Sequence, residues 1–415
     1  MSLSQKIKNY ALSLGYDYVG IIDAEGFPEH LENLQERYGM YQFGIEGPLR
    51  LMQAADTKMQ MPTAKSIIVV AMDYYKEAMP EELSKILGRY YISRAQPSSA
   101  YSPINQHRRK LMREFLEFCG CTVGDKVAVP ERQAAVRAGI GNYGKNGFVY
   151  GQNSGSYLIL SSFVVDLELD YDKPVYEEIC PENCSICMKS CPTGAIYEPY
   201  KMNPCKCITL INLTGTGNLP GIPQVVPHDL RDKIGVHIHG CDICQDVCPL
   251  NKIKHSSKLP FNAYLESLVP DFQLTRIVNM DEETYQTRIR PLVYNYFNKR
   301  QLLQRNAAIA LGNLDDPSTV PDLELSIHNE EEIVRAYSAW ALGRIGGKVP
   351  SDEIYASAAN YIDWNEEKVL RDQAELILQR ALSEESSEWV IAEIREALNY
   401  IQDNKFYNRV NRLVL

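Results

Sequence analysis

The sequence predicts an α+β protein in three parts: a mixed α/β domain over residues 1–175, a cysteine-rich segment over 176–258 and a helical repeat domain over 259–415. Three observations predict it. Apolar runs of strand length alternate with amphipathic stretches as far as Asp166, nine of the eleven cysteines fall between Cys180 and Cys248, and from about Pro260 a helical pattern recurs at an offset of 30 residues. The first marks α/β packing, the second a segment organised by something other than a hydrophobic core, and the third a solenoid.

In the first part, Ser4–Leu14 carries apolar residues at helical spacing. Ser66–Met72 (SIIVVAM) and Ser156–Asp166 (SYLILSSFVVD) read as buried strands, with an amphipathic helix over Asn105–Gly120 between them. Gly139-Ile140-Gly141-Asn142-Tyr143-Gly144 fits G-x-G-x-x-G. A dinucleotide fingerprint, however, follows a strand and opens a helix. Here helix-like RQAAVRA precedes the glycines and strand-like GFVYG follows, so they predict a turn whose backbone approaches a large cofactor closely, not a nucleotide site.

The cysteines of the second part are spaced Cys180-(x3)-Cys184-(x2)-Cys187-(x3)-Cys191-Pro192 and Cys241-(x2)-Cys244-(x3)-Cys248-Pro249, with Cys205 and Cys207 between the runs. C-x2-C-x3-C-P is the bacterial ferredoxin pattern, in which the last cysteine of one run serves the other cluster. Zinc also accepts four thiolates but favours paired C-x2-C knuckles and does not require the terminal proline. The spacing therefore predicts two [4Fe–4S] clusters. One is held by Cys180, Cys184, Cys187 and Cys248, the other by Cys191, Cys241, Cys244 and either Cys205 or Cys207. Cys119 and Cys121 read as structural thiols.

In the third part, Arg305–Leu314 (RNAAIALGNL) is echoed by Arg335–Ile345 (RAYSAWALGRI) and more loosely from Arg371 (RDQAELILQRAL). Small residues on the packing face and glycine near the helix end indicate a HEAT-like α-solenoid.

The longest apolar run, around Tyr157–Val165, is broken by Ser161 and Ser162 and falls short of the roughly 20 residues of a membrane span. Met1–Gly20 lacks the apolar centre and cleavage site of a signal peptide, so a cytoplasmic protein without membrane contact is expected. A net charge of −10 argues against a dedicated nucleic-acid binder. Local basic stretches remain: Gln106–Arg113 (QHRRKLMR), Lys252, Lys254 and Lys258, and Lys299, Arg300 and Arg305. They are candidates for phosphate contacts or, more plainly, solvated helix faces.

Arg137–Asn146 (RAGIGNYGKN), Cys191–Tyr200 (CPTGAIYEPY), Cys207–Leu210 (CITL), Gly240–Asn251 (GCDICQDVCPLN) and the C-terminal repeat together resemble the epoxyqueuosine reductase family, over nearly the whole chain. Reductive dehalogenases are similar at a greater distance. The chain departs from the family pattern in its first cysteine spacing, x3 where x2 is usual, and in Gln106-His107, where the family has Tyr-His. An Arg of the family pattern upstream of Pro62–Ile67 has no counterpart near Ala54.

The resemblance implies that residues 1–175 bind a corrinoid, that residues 176–258 are a ferredoxin-like double-cluster domain, and that Cys207, not Cys205, is the eighth ligand. It implies cobalamin, and because none of the seven histidines has an Asp two residues before it, base-off cobalamin without a protein His ligand. Cofactor contacts fall at His107, Gly139, Gly141, Gly144, Lys145, Asn146 and Asp242, with His107 equally readable as a surface residue. The family's aspartate seven residues before the Arg of an E-R pair (here Glu131-Arg132) falls at Asp125, the candidate general acid. Such a role needs a pKa raised by burial. The implied reaction reduces epoxyqueuosine to queuosine in tRNA, by a monomer fed by an external donor such as flavodoxin or ferredoxin. The alternatives are a corrinoid reductase of a smaller substrate and an electron-transfer module that docks a partner protein.

Overall fold

The computed structural model describes residues 1–47, 49–92, 103–213, 225–293, 299–348 and 361–414; for 91–92, 103, 361–366 and 405–414 it describes the backbone only. It divides into two units. The first joins Met1–Met79, Gly88–Gln224 and Gly240–Leu265; the second joins Pro80–Leu87, Val225–His239 and Glu266–Leu415.

In the first unit, α1 spans Leu3–Ser13, β1 Tyr18–Asp23, β2 Ser66–Asp73, α2 Pro103–Phe118, α3 Glu131–Arg137, β3 Asn142–Tyr143, β4 Val149–Tyr150 and β5 Leu158–Val165. Strands β1, β2 and β5 form one antiparallel sheet with β2 in the middle, Val69 facing Gly20 on one side and Ser162 on the other. All eight residues of β2 are buried because both faces are covered. Ile67, Val69 and Ala71 pack with Ala134, Ala135 and Ala138, which belong to or follow α3. Ile68, Val70 and Met72 pack with Ile7 and Ala11 of α1 and Met112 and Leu116 of α2. A strand covered on both faces reads as an unbroken apolar run rather than an alternating one, as SIIVVAM does.

Helix α3 precedes the glycine segment, and the β3–β4 hairpin begins within it, with Asn142 opposite Tyr150. That is the order expected from the sequence and the reverse of a dinucleotide fold. The described residues of the cysteine segment form single turns and a short hairpin, among them α4 Ile186–Lys189, β6 Ile196–Glu198, β7 Lys201–Met202, α5 Ile208–Ile211 and α6 Ile243–Asp246. Of the two remaining thiols, Cys121 is buried in the α1–α2 core and Cys119 is partly exposed.

The second unit carries α7 Leu274–Val278, α8 Arg300–Leu314, α9 Val320–Ser326, α10 Glu332–Gly347, α11 Tyr361–Glu384 and α12 Glu388–Val414. Helix α8 packs on α10, and α10 on α11 and α12. Glycines let the axes approach. A Cβ at Gly312 would lie 2.7 Å from the Trp340 ring and 2.9 Å from Ala341 Cα, and one at Gly343 would lie 2.6 Å from Ala397 Cβ. Arg231 pins the 225–239 segment to this stack. Its guanidinium donates to both oxygens of Glu393 at 2.8 Å and lies over the Tyr337 ring.

One expectation needs correction here. Arg305 is fully buried against Tyr337 and cannot reach a phosphate; Arg300 is ion-paired with Glu330 and Glu282, and Lys254 with Asp73 at 2.6 Å. Lys252, Lys258 and Lys299 are exposed. Among the described residues no helix is long and apolar enough to cross a membrane.

Candidate metal centre

Eight of the nine clustered cysteines come together as two groups of four. Burial raises the Cys187 thiol, and the neighbours that raise it further are Cys248, Cys180 and Cys184. Burial also pushes Cys241 up to about 12, with Cys207 and Cys191 among its neighbours. Cys244 is raised by burial and then by Cys207, Cys241, Asp242 and Cys191. Each thiolate therefore disfavours the next in a site that excludes water, which is the situation a bound cation relieves. Cys205 stands apart, with its Sγ 3.5 Å from the Met40 carbonyl. Its neighbour Cys207 is the one gathered with Cys191.

Among the described residues no three cysteine sulfurs lie within 4.8 Å of one another, whereas tetrahedral zinc draws its thiolates to roughly 3.8 Å apart. The group that does converge this closely is His228, Glu393 and Glu396, and there Glu393 is already neutralised by Arg231. Polar hydrogens point at the cysteine sulfurs: Lys145 N–H at 3.4 Å from Cys180, Ala195 N–H at 3.3 Å from Cys191 and the Tyr150 hydroxyl at 3.1 Å from Cys248. Donors of this kind suit thiolates that carry cluster charge.

The remaining predicted contacts divide between the cysteine loops and the surface. The Lys145 ammonium caps the carbonyls of Pro181 (2.8 Å), Glu182 (2.6 Å) and Cys184 (3.3 Å), which gathers the long x3 loop of the first run. Asn146 donates to the Cys244 carbonyl. Asp242 is buried and accepts from the Arg89 backbone N–H at 2.7 Å and from the Arg89 guanidinium; burial lifts its carboxyl to about 6. A Cβ at Gly141 would lie 2.2 Å from the Tyr150 carbonyl oxygen and one at Gly144 2.4 Å from the Tyr150 ring, while Gly139 has a φ of +70°. The close approach that Gly141 and Gly144 serve is thus to Tyr150. Tyr150 and Arg89 were not singled out from the sequence; an aromatic residue in GFVYG and an Arg after Gly88 carry no spacing signal.

Asp125 lies in a loop that Arg113 of α2 fixes. Arg113 donates to the carbonyls of Val123 (2.9 Å) and Gly124 (3.4 Å) and stands 3.8 Å from the Asp125 carboxylate, which is 78% exposed. The burial expected around a general acid is supplied at Glu131 instead: burial pushes it up to about 7 against the pull of Arg109 and Arg132. An acid in the first turn of a helix is ordinary, so Glu131 was not legible as a candidate. His107 is exposed on α2 and, two positions before Arg109, lies off the face that Arg109 and Arg113 share.

A 4Fe-4S double cluster binding domain matches residues 180–251. The chain is 30% identical to the epoxyqueuosine reductase of Bacillus cereus over 358 residues, which is 83% of this chain and 90% of that one. It is also 30% identical to the enzyme of Escherichia coli (strain K12) over 356 residues, 82% and 89% of the two chains. This chain belongs to the epoxyqueuosine reductase family. As a member of it, the protein is an oxidoreductase. The fold agrees over 96% of its length. The solved epoxyqueuosine reductase of Bacillus subtilis, with its catalytic aspartate loop swung out of the active site, superposes with a TM-score of 0.73 at 25% identity and 99% coverage of that chain. A family structure bound to an epoxyqueuosine-modified tRNA-Tyr stem loop superposes with a TM-score of 0.72, also at 25% identity and 99% coverage.

Proposed function

We propose that this protein reduces epoxyqueuosine to queuosine in tRNA, using two [4Fe–4S] clusters and base-off cobalamin. The observation that carries the proposal is the gathering of eight cysteines as two fours, in a chain that matches family enzymes along nearly its whole length. Removing an epoxide oxygen to leave an alkene consumes two electrons and two protons and releases water. Side chains cannot supply the electrons, so the clusters and the corrinoid would. The protein's part is to hold the clusters through Cys180, Cys184, Cys187 and Cys248 and through Cys191, Cys207, Cys241 and Cys244, and to deliver protons. Of the first unit's histidines, His107 is exposed on α2, while the His30 and His255 rings each hold one hydrogen bond, with Gln133 and Tyr157.

Asp125 donates the proton to the leaving oxygen. Its carboxylate stands exposed on the loop that Arg113 holds, and closure of that loop over substrate would bring it to the leaving oxygen and exclude water there. In the same proposal the C-terminal helices form a HEAT-like solenoid, and a cytoplasmic monomer takes electrons from a flavodoxin or ferredoxin.

Anaerobic reconstitution should give about eight iron and eight sulfide per chain, a base-off cob(II)alamin spectrum on titration, and queuosine from tRNA bearing epoxyqueuosine. Cys207→Ala should lose one cluster and Cys205→Ala neither. Stoichiometric zinc without sulfide would overturn the cofactors, and loaded protein inert on that tRNA would overturn the substrate.

A further inference from the structure

The β4 residue Tyr150 is unusually committed. Two glycines of the preceding turn exist to admit it: side chains at Gly141 and Gly144 would collide with its carbonyl and its ring. Its hydroxyl lies 3.1 Å from Cys248 Sγ as donor and accepts from Asn146 Nδ2 at 2.9 Å. The same Asn146 nitrogen donates to the Cys244 carbonyl at 3.1 Å, so one polar chain links a sulfur of the first cysteine group to the backbone of the second. A packing role alone would be met by Phe. The hydroxyl adds a hydrogen bond to sulfur, sharpened by the amide donating into it. In the second group, Thr193 Oγ1 stands 3.5 Å from Cys191 Sγ with either atom able to donate, the Ala195 N–H donates to Cys191 at 3.3 Å, and Thr209 donates to Cys207.

We propose that the Tyr150 hydroxyl, oriented by Asn146, raises the reduction potential of the cluster held by Cys180, Cys184, Cys187 and Cys248; this rests on the two-cluster reading above. Reduction adds one electron to the cluster and spreads negative charge onto the cysteine sulfurs. A donor hydrogen bond to sulfur stabilises the reduced form more than the oxidised one, because charge-assisted hydrogen bonds are the stronger. The glycine segment is then a device that delivers a phenol to a cluster.

The test is an EPR-monitored redox titration of the anaerobically reconstituted holoprotein with dithionite. Tyr150→Phe should keep its full iron and sulfide and move one of the two potentials downward, by about tenfold in the reduction equilibrium or ~59 mV for a one-electron couple. The other potential should stay where it is. A ring-fluorinated tyrosine in place of Tyr150, a stronger donor, should move the same potential upward; it decides the matter if Tyr150→Phe fails to assemble. Unchanged potentials in a fully loaded variant, or equal shifts of both clusters, would overturn the inference. Wild-type protein that assembles no clusters would instead overturn the reading beneath it.

Discussion

At Asp125 the carboxylate faces water on a loop whose carbonyls are held by Arg113. The proposed role as proton donor requires that loop to close around substrate. Asp125→Ala should retain both clusters and corrinoid yet lose turnover on epoxyqueuosine tRNA by about 10²–10⁴-fold, the usual contribution of a positioned general acid. Near wild-type turnover would exclude it and direct attention to Glu131, where burial already lifts the carboxyl to about 7. The cysteines were legible at this scale because thiolates bound to one cluster must recur at fixed short spacings. Cys205 and Cys207 were not separable in that way: they share a loop, and only the folded chain turns one sulfur to the Met40 carbonyl and the other toward Cys191. Lys145 was legible as part of a motif but not in its task, since the carbonyls it caps lie 36 to 39 residues away in sequence.

Elements that own a hydrophobic face announced themselves: α1, β2, α2 and β5 follow the apolar pattern to within two residues at either end. The β3–β4 hairpin has two residues per strand, too few to show a period. Nor could sequence show that the 225–239 segment belongs with the C-terminal helices, because its anchors join residues far apart in the chain: Arg231 and His228 with Glu393, the Val226 N–H with the Tyr337 hydroxyl, and Asn313 with the carbonyls of Arg231 and Gly235. Burial alone would raise the Glu393 carboxyl, but hydrogen bonds and charge from Arg231, helped by His228, bring it below the ordinary glutamate value of 4.5. A carboxyl depressed on folding contributes stability that is present above its unfolded pKa and is lost as pH falls through the folded one. Arg231→Met should therefore cost about 3–5 kcal/mol at neutral pH, leaving a buried charge unpaired. Thermal melts of variant and wild type should converge as pH drops below about 4.5, since protonated Glu393 no longer needs the guanidinium. A gap independent of pH would mean that Arg231 stabilises through its stacking on Tyr337 instead.

Over the whole molecule, charge is the property that sequence renders least faithfully. Arg305 counts as a cation in the formal total of −10 yet lies in the core, and Arg300 and Lys254 are neutralised by acids distant in sequence. What remains to meet a polyanion is a smaller set, in which Lys252 and Lys258 stand exposed just beyond the last cysteine run. An acidic protein repels RNA at long range, so binding must come from a few short contacts that outweigh the overall field within a Debye length. Each phosphate contact releases condensed counterion, and losing one should reduce the slope of log K against log salt by roughly one. Reversing Lys252 and Lys258 to Glu should therefore weaken tRNA binding and flatten that slope by up to about two. Epoxyqueuosine-modified and unmodified tRNA should lose affinity by the same factor, because phosphate contacts position the RNA without reading the base. Iron and sulfide content should not change. An unaltered slope would move the phosphate-binding face elsewhere. A loss confined to modified tRNA would place these lysines beside the base itself.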